Sequence, residues 1–297
     1  MAGEITVMTE SIVYLNTQYV DSSKAMISAF DRGFLYGDGV YETIRAVNGH
    51  LFHFNDHFER LKQSADAMNI ELPFSVDACQ SILLKLIDLN KLDHAYLRLT
   101  ISRGVGLVGF NQAIGHSSTV LIVAKAFIAL DPLFYKNGIE IITAKTRRNA
   151  PEAVNPAIKS ISNLNSLLGR IEAQNAGKLE VIMLNNKGFV CEGSASNIFW
   201  VKDQTVYTPD QSTGLLEGVT RKQVIKLCDQ IPSLSLKSGA YPIEDCYAAD
   251  ELFITSTSLE VMPVIKLDDK KINSGEVGPV SIQLLTAFRK LYERDAA

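Results

Sequence analysis

The chain has 297 residues, room for two domains at roughly 150 residues each, and its 46% hydrophobic and 21% charged residues exclude disorder and fibrous or collagen-like repeats. Lys and Arg number 29 against 33 Asp and Glu, a net charge of -4, so composition makes no electrostatic case for nucleic acid or an anionic membrane. Cys79, Cys191, Cys228 and Cys246 are widely spaced without a Cys-x-x-Cys pair, which reads as free thiols in a reducing compartment. The opening residues MAGEITVMTES lack the basic and apolar regions of an export signal. The longest stretch free of Asp, Glu, Lys and Arg, residues 104–124, holds four glycines and is too polar to span a bilayer. The expected location is the cytoplasm.

Residues 11–20 alternate loosely as one strand would, and residues 40–47 do so again before an Asn48-Gly49 turn. From Phe58 the period changes: Phe58, Leu61, Ala65 and Met68 recur at helical spacing, with His57 opening the helix. Ser75 offers an N-cap to a second helix with Cys79, Ile82, Leu83, Leu86 and Leu89 on its apolar face. Strands are expected over 95–102 and 118–124, completing a compact α+β unit. Asp131-Pro132 interrupts the pattern as the candidate linker, giving domains over 1–130 and 131–297. Beyond it come a strand over 139–144 and a helix over 163–175 with Leu164, Leu167, Leu168 and Ile171 on one side. Residues 180–184, the turn Asn185-Asn186-Lys187-Gly188 and residues 197–201 read as successive strands of a meander. Gly218 opens a helix carrying Val224, Ile225 and Leu227, and a last helix covers about 280–294.

Some local matches do not carry chemistry. Gly104-x-Gly106-x-x-Gly109 fits the dinucleotide fingerprint literally. That fingerprint needs a helix start directly after it, and Phe110-Asn111-Gln112-Ala113-Ile114-Gly115 has no amphipathic run, so a glycine loop between strands is expected. His50, His53 and His57 cluster at no recognisable ligand spacing, and no metal site is expected. No Gly-x-Ser-x-Gly elbow supports a serine hydrolase.

Lys159, within Pro156-Ala157-Ile158-Lys159-Ser160, lies in an apolar run that would desolvate its ammonium and lower its pKa, making it a candidate Schiff-base nucleophile; a lysine snorkelling from a strand end is the plainer alternative. Glu192, before Gly193-Ser194-Ala195-Ser196-Asn197, follows a strand beside small residues that let a planar group approach. Leu216-Glu217-Gly218-Val219-Thr220 starts a helix whose free amides and threonine hydroxyl suit an anion. Arg60 can add a charge-assisted bond to the same anion, and Thr255-Ser256-Thr257-Ser258 supplies further hydroxyls. A lysine, an acid, a helix start and a hydroxyl cluster, in this order, would serve pyridoxal 5'-phosphate.

The chain resembles the fold type IV, or class IV, pyridoxal-phosphate aminotransferases, which include branched-chain and D-amino-acid aminotransferases and aminodeoxychorismate lyase. The resemblance covers nearly the whole chain. It runs from Asp31-Arg32-Gly33-Phe34-Leu35-Tyr36-Gly37-Asp38-Gly39-Val40-Tyr41-Glu42 through His57-Phe58-Glu59-Arg60-Leu61 and the Lys159, Glu192 and Leu216 blocks to Ser256-Thr257-Ser258. It implies an α+β fold with a small N-terminal α/β domain, a larger C-terminal pseudo-barrel domain that carries the cofactor lysine, and a homodimer. It also implies that Lys159 is the Schiff-base lysine and that Glu192 is the partner of the pyridine nitrogen. On the same basis Arg60, Val219, Thr220 and Thr257 match the phosphate cup, and Leu216 packs on the ring. Tyr36, Tyr41, Tyr96 and Arg98, with Ser258, match positions that line the substrate pocket.

Within the family, Ala95-Tyr96-Leu97-Arg98-Leu99 resembles the Tyr-x-Arg strand of branched-chain enzymes, in which the arginine meets the side-chain carboxylate of glutamate. The D-amino-acid branch carries an Arg-x-His pair that Ser102-Arg103-Gly104-Val105-Gly106 lacks. Tyr41-Glu42-Thr43-Ile44-Arg45 and Asn197-Ile198-Phe199-Trp200 also resemble lyase-like members, and Asn163 and Leu164 stand where many branched-chain enzymes have a tyrosine. The resemblance implies ping-pong transfer between a branched-chain or related aliphatic L-amino acid and 2-oxoglutarate. Aminodeoxychorismate lyase, D-amino-acid aminotransferase and a non-catalytic relative remain open.

Overall fold

The computed structural model describes residues 11–110 and 117–295. Their contacts form two compact units. One takes the chain through Ile128 together with Lys159–Ser162; the other takes Ala129–Ile158 and Asn163–Asp295.

The first unit contains β1 (Ile12–Leu15), β2 (Gln18–Asp21), α1 (Arg32–Tyr36), β3 (Gly39–Val47), β4 (His50–Leu51), α2 (Phe54–Ala67), α3 (Val76–Leu89), β5 (Ala95–Ser102) and β6 (Thr119–Ala126). The single strand expected over 11–20 is a hairpin, β1–β2, because Asn16 takes a left-handed φ of 56° and turns the chain. Asn48 and Gly49 do the same between β3 and β4 with φ of 50° and 77°. Among the described residues the strands form one antiparallel sheet, ordered β2-β1-β6-β5-β3-β4. Alternate residues Val40, Ile44, Leu97, Leu99, Ile101, Val120 and Ile122 are buried, with α2 packed against β3 and α3 against β1 and β6. Helix α2 starts at Phe54, ahead of the expected His57, and its buried stripe is Phe54, His57, Leu61, Ser64 and Ala65 rather than one through Phe58. Ser75 caps α3 as its sequence suggests, accepting from the Ala78 N–H at 3.3 Å. Gly104 has a φ of +87° and no room for a side chain, since a Cβ would lie 2.1 Å from the Ser117 carbonyl oxygen. The rest of the fingerprint stretch, Asn111 to Gly115, lies outside the described residues, as do residues 1–10 of the export-signal reading.

Lys159–Ser162 joins this unit through β3. The Tyr41 N–H donates to the Lys159 carbonyl and the Ile161 N–H to the Gly39 carbonyl, each at 3.0 Å.

The second unit contains α4 (Pro132–Asn137), β7 (Ile139–Thr143), α5 (Leu164–Asn175), β8 (Val181–Leu184), β9 (Val190–Glu192), β10 (Asn197–Lys202), β11 (Thr205–Pro209), α6 (Val219–Gln230), β12 (Ser235–Gly239), α7 (Ile243–Tyr247), β13 (Glu251–Ser256), β14 (Glu260–Leu267), β15 (Lys270–Lys271) and α8 (Pro279–Asp295). Asp131-Pro132 is a helix start: Pro132 is the first helical residue of α4 and the Asp131 carboxylate accepts from the Leu133 N–H at 2.9 Å. The sheet runs β12-β11-β10-β13-β14-β7-β8-β9 and curls until its ends meet, with the Val190 N–H donating to the Tyr241 carbonyl at 2.8 Å just past β12. This is the pseudo-barrel, filled by Ile141, Ile182, Ile198, Trp200, Leu252, Ile254, Met262 and Val264. The expected meander ends at the β8–β9 hairpin. Residues 193–196 wrap the buried Glu180 carboxylate, and β10 pairs with β11 and β13 instead. Helix α5 forms where expected, but its apolar stripe faces outward: Leu164, Leu167, Leu168 and Ile171 are 66%, 55%, 43% and 48% exposed, while Gly169 and Ala173 are buried.

All four cysteines are buried free thiols, and burial pushes those of Cys79 and Cys228 up to about 12. Among the described residues no helix is long and apolar enough to cross a membrane.

Candidate active site

In the first unit, β3 presents Tyr41 on its half-buried face and Glu42 on the core face. Lys159 Nζ stands 4.4 Å from the Tyr41 ring centroid, and the Arg98 guanidinium carbon, from β5, stands 4.0 Å from the same centroid. The Lys159 backbone is fixed as well, its N–H donating to Ser64 Oγ of α2 at 3.1 Å. Tyr96 lies two residues before Arg98 on the same sheet face, its hydroxyl 3.4 Å from Thr43 Oγ1. Tyr36 makes its contacts elsewhere: its hydroxyl accepts from the Gly109 N–H at 2.6 Å and Arg32 lies over its ring at 5.0 Å.

Arg60 sits behind this cluster. It donates from Nε to Glu42 Oε1 at 2.6 Å and from Nη2 to Oε2 at 2.8 Å. His57 Nδ1 lies 2.8 Å from Oε2; because a carboxylate only accepts, Nδ1 carries the proton. Burial alone would raise the Glu42 carboxyl, but Arg60 and His57 together hold it far below its ordinary 4.5. Burial also keeps His57 below its ordinary 6.5 despite the pull of Glu42, helped by the positive charges of Arg60 and Lys159. The resting charges are therefore an anionic Glu42, a cationic Arg60 and a neutral His57.

In the second unit, Glu192 closes β9 and is 5% exposed. Its Oε2 accepts from the Leu216 N–H at 3.0 Å and the Asn197 amide at 3.4 Å, and Arg148 Nε stands 2.6 Å from Oε1. Asn197 also donates to the Leu216 carbonyl at 2.8 Å. Its Oδ1 presses on Gly218, where a Cβ would lie 2.1 Å away, so any larger residue at the head of α6 would have to displace the Asn197 side chain. Helix α6 starts at Val219 and Thr220, both buried, and Gly218 supplies no side-chain cap to its first amides. Thr255 pairs with Asn197 across β13 and β10, so the turn at Thr257 and Ser258 follows directly from that register.

The structure thus ties Lys159, Tyr41 and Arg98 together in one unit, and Glu192, Leu216 and the α6 start in the other. Sequence reasoning gave no individual role to Glu42, Arg148, Asn197 or Glu180, although Glu42 and Asn197 lie within its motifs. Glu42 had a usable signal, since it is an acid in register with the buried Val40, Ile44 and Ala46 of its strand.

The sequence pattern of the family described as amino-transferase class IV matches residues 39–267. A Methanocaldococcus jannaschii protein provisionally named a branched-chain-amino-acid aminotransferase is 39% identical over 94% of this chain and 96% of its own. The aminodeoxychorismate lyase of Bacillus subtilis is 35% identical over 96% and 94%, and a D-alanine aminotransferase of Staphylococcus aureus 32% over 95% and 98%. Among solved structures, the Escherichia coli branched-chain amino acid aminotransferase superposes with a TM-score of 0.92 at 30% identity, covering 96% of this chain and 95% of that one.

Proposed function

This chain belongs to the class IV aminotransferases, pyridoxal-phosphate enzymes, and from that premise we propose that it moves an amino group between a branched-chain or related aliphatic L-amino acid and 2-oxoglutarate. The observation that carries this reading is the shared tyrosine: Lys159 and Arg98 both stand on the Tyr41 ring, at 4.4 and 4.0 Å. A primary amine thus has beside it a fixed cation able to meet the second carboxylate of a glutamate or 2-oxoglutarate, a group aliphatic donors lack.

The donor set suits the cofactor. The first unit offers the amine of Lys159 and the guanidinium of Arg60. The second offers a buried carboxylate at Glu192 and a helix start to which Gly218 supplies no side-chain cap. Bound pyridoxal phosphate supplies an electron sink for the charge left at the donor's Cα. Beside it, the Lys159 amine would serve as the base for the donor's Cα proton. Glu192 would hold a proton at the ring nitrogen, Arg60, Val219, Thr220 and Thr257 would hold the phosphate, and Leu216 would pack on the ring. Tyr41, Tyr96 and Arg98 would bound the substrate, while Tyr36 and Ser258 are assigned to it on the family resemblance alone.

We assign the working form as a homodimer. The outward stripe on α5 and, in the first unit, exposed Met26, Phe30 and Phe34 beside a groove of about 410 Å³ are apolar surfaces that a second copy would cover. Sedimentation of the purified protein as a monomer at micromolar concentration would remove this assignment. The cytoplasm is the proposed location, consistent with four free thiols.

A coupled assay over L-Leu, L-Ile, L-Val, D-Ala and aminodeoxychorismate tests the activity. Turnover of the L-amino acids with 2-oxoglutarate, abolished in Lys159→Ala, is expected. Preference for D-Ala, or pyruvate release from aminodeoxychorismate without an oxo-acid acceptor, would replace the reading with that of the corresponding relative.

A further inference from the structure

Arg148 has no part in the constellation above, yet it is a cation in direct contact with the candidate acid. Its Nε stands 2.6 Å from Glu192 Oε1, with no aligned hydrogen bond from Nε among the described residues, so the contact is a pairing of charges. The arginine is held from the other side too. Its backbone N–H donates to the Leu184 carbonyl at 2.8 Å, and its Nη1 donates to Asn165 Oδ1 and Ser166 Oγ in the first turn of α5, each at 3.1 Å. Its side chain is only 12% exposed, so solvent does little to screen the charge.

Two opposite charges sharing a proton in a poorly hydrated site relax to the neutral pair unless something else stabilises the anion. For a carboxylate facing a pyridinium, that relaxation carries the proton off the ring nitrogen onto the acid. A second cation on the carboxylate favours its charged form and opposes the transfer. Resting on Glu192 as the acid proposed for the ring nitrogen, we infer that Arg148 is a positioning residue: paired with Oε1, it keeps Glu192 a carboxylate and the shared proton on the ring. Its bonds to Asn165 and Ser166 set where that charge stands.

The test loads the wild type, Arg148→Met and Arg148→Lys with pyridoxal phosphate carrying ¹⁵N in the ring, and reads the ring nitrogen shift together with kcat and KM. The wild type is expected at the position of a protonated ring. R148M should move the signal downfield toward unprotonated pyridine and lower kcat about tenfold with KM for the amino donor unchanged. R148K, which keeps the cation, should stay with the wild type; a role in folding alone would not divide the two variants this way. An R148M signal at the wild-type position overturns the inference while leaving Glu192 as the acid. A wild-type ring that is already unprotonated overturns the assignment of Glu192 itself. If R148M does not fold, Arg148→Gln can still bond Asn165 and Ser166 without the charge, and its shift decides the matter on the same terms.

Discussion

Each unit buries a carboxylate beside its candidate residues, and the two are neutralised by opposite strategies. Glu42 is fully buried and is met almost entirely by side chains, with Arg60 donating twice and His57 once. Glu180, 1% exposed, is met by a loop. It accepts from the N–H groups of Val181, Ser194 and Ala195 and from the hydroxyls of Ser194 and Ser196, while Arg170 stays 3.7 Å away. The first arrangement concentrates its charge balance in one guanidinium and fixes that guanidinium's direction. The second spreads the load over backbone amides that come with the fold of residues 193–196. The concentrated arrangement should break at a single substitution, and the spread one should not.

The sharpest break is Glu42→Gln. It leaves Arg60 a largely buried cation without its anion, and such half-removed pairs typically cost about 3–5 kcal/mol. Urea unfolding followed by far-UV circular dichroism should therefore show a lower midpoint at unchanged slope. Stability within about 1 kcal/mol of wild type would mean that Glu42 does not carry the balance.

Acid should expose the same concentration of charge. His57 titrates below its ordinary 6.5 in the folded chain, so below that pH the unfolded chain takes up the proton first and stability is lost. Glu42 titrates below its ordinary 4.5, so stability present above that value is lost as the pH falls further. Both groups act in one direction. Unfolding midpoints should decline from about pH 6.5 and more steeply below 4.5, and E42Q should flatten the lower limb. A lower limb equally steep in E42Q would assign the acid loss to other carboxylates.

How far these arrangements were legible in sequence follows from their range. Helical spacing and capping residues are local, so α3 with Ser75 and α6 behind Gly218 could be read directly. Positive-φ turns were legible where Asn-Gly announced them and not at Asn16, where asparagine alone splits one apparent strand into two. The stripe on α5 was legible as apolar but not as outward-facing, because periodicity says which residues share a face and not what covers that face. Lys159, Glu192 and the Leu216 block stood out as residue types in order. Their supports did not: Arg148 and Glu192 are 44 positions apart by their numbers, and Glu42 and Arg60 are joined only when α2 packs on β3. The β9–β10 connection failed for a related reason, since a buried acid at Glu180 recruits the turn into a wrap that no turn rule encodes.

The smallest expected effect is the one that separates the two strategies most cleanly. Ser194→Ala removes one of the five donors to Glu180, the hydroxyl at 2.5 Å, and keeps the Ser194 N–H at 3.0 Å because that group belongs to the backbone. The carboxylate keeps four donors, so no acceptor is orphaned and the full desolvation penalty does not arise. The loss should be that of one hydrogen bond, about 0.5–1.5 kcal/mol. Measured by the same urea titration, it should be several times smaller than that of E42Q. A loss as large as that of E42Q would show that the Ser194 hydroxyl, rather than the run of amides, holds the loop on Glu180, and the contrast between a concentrated and a spread carboxylate would fall.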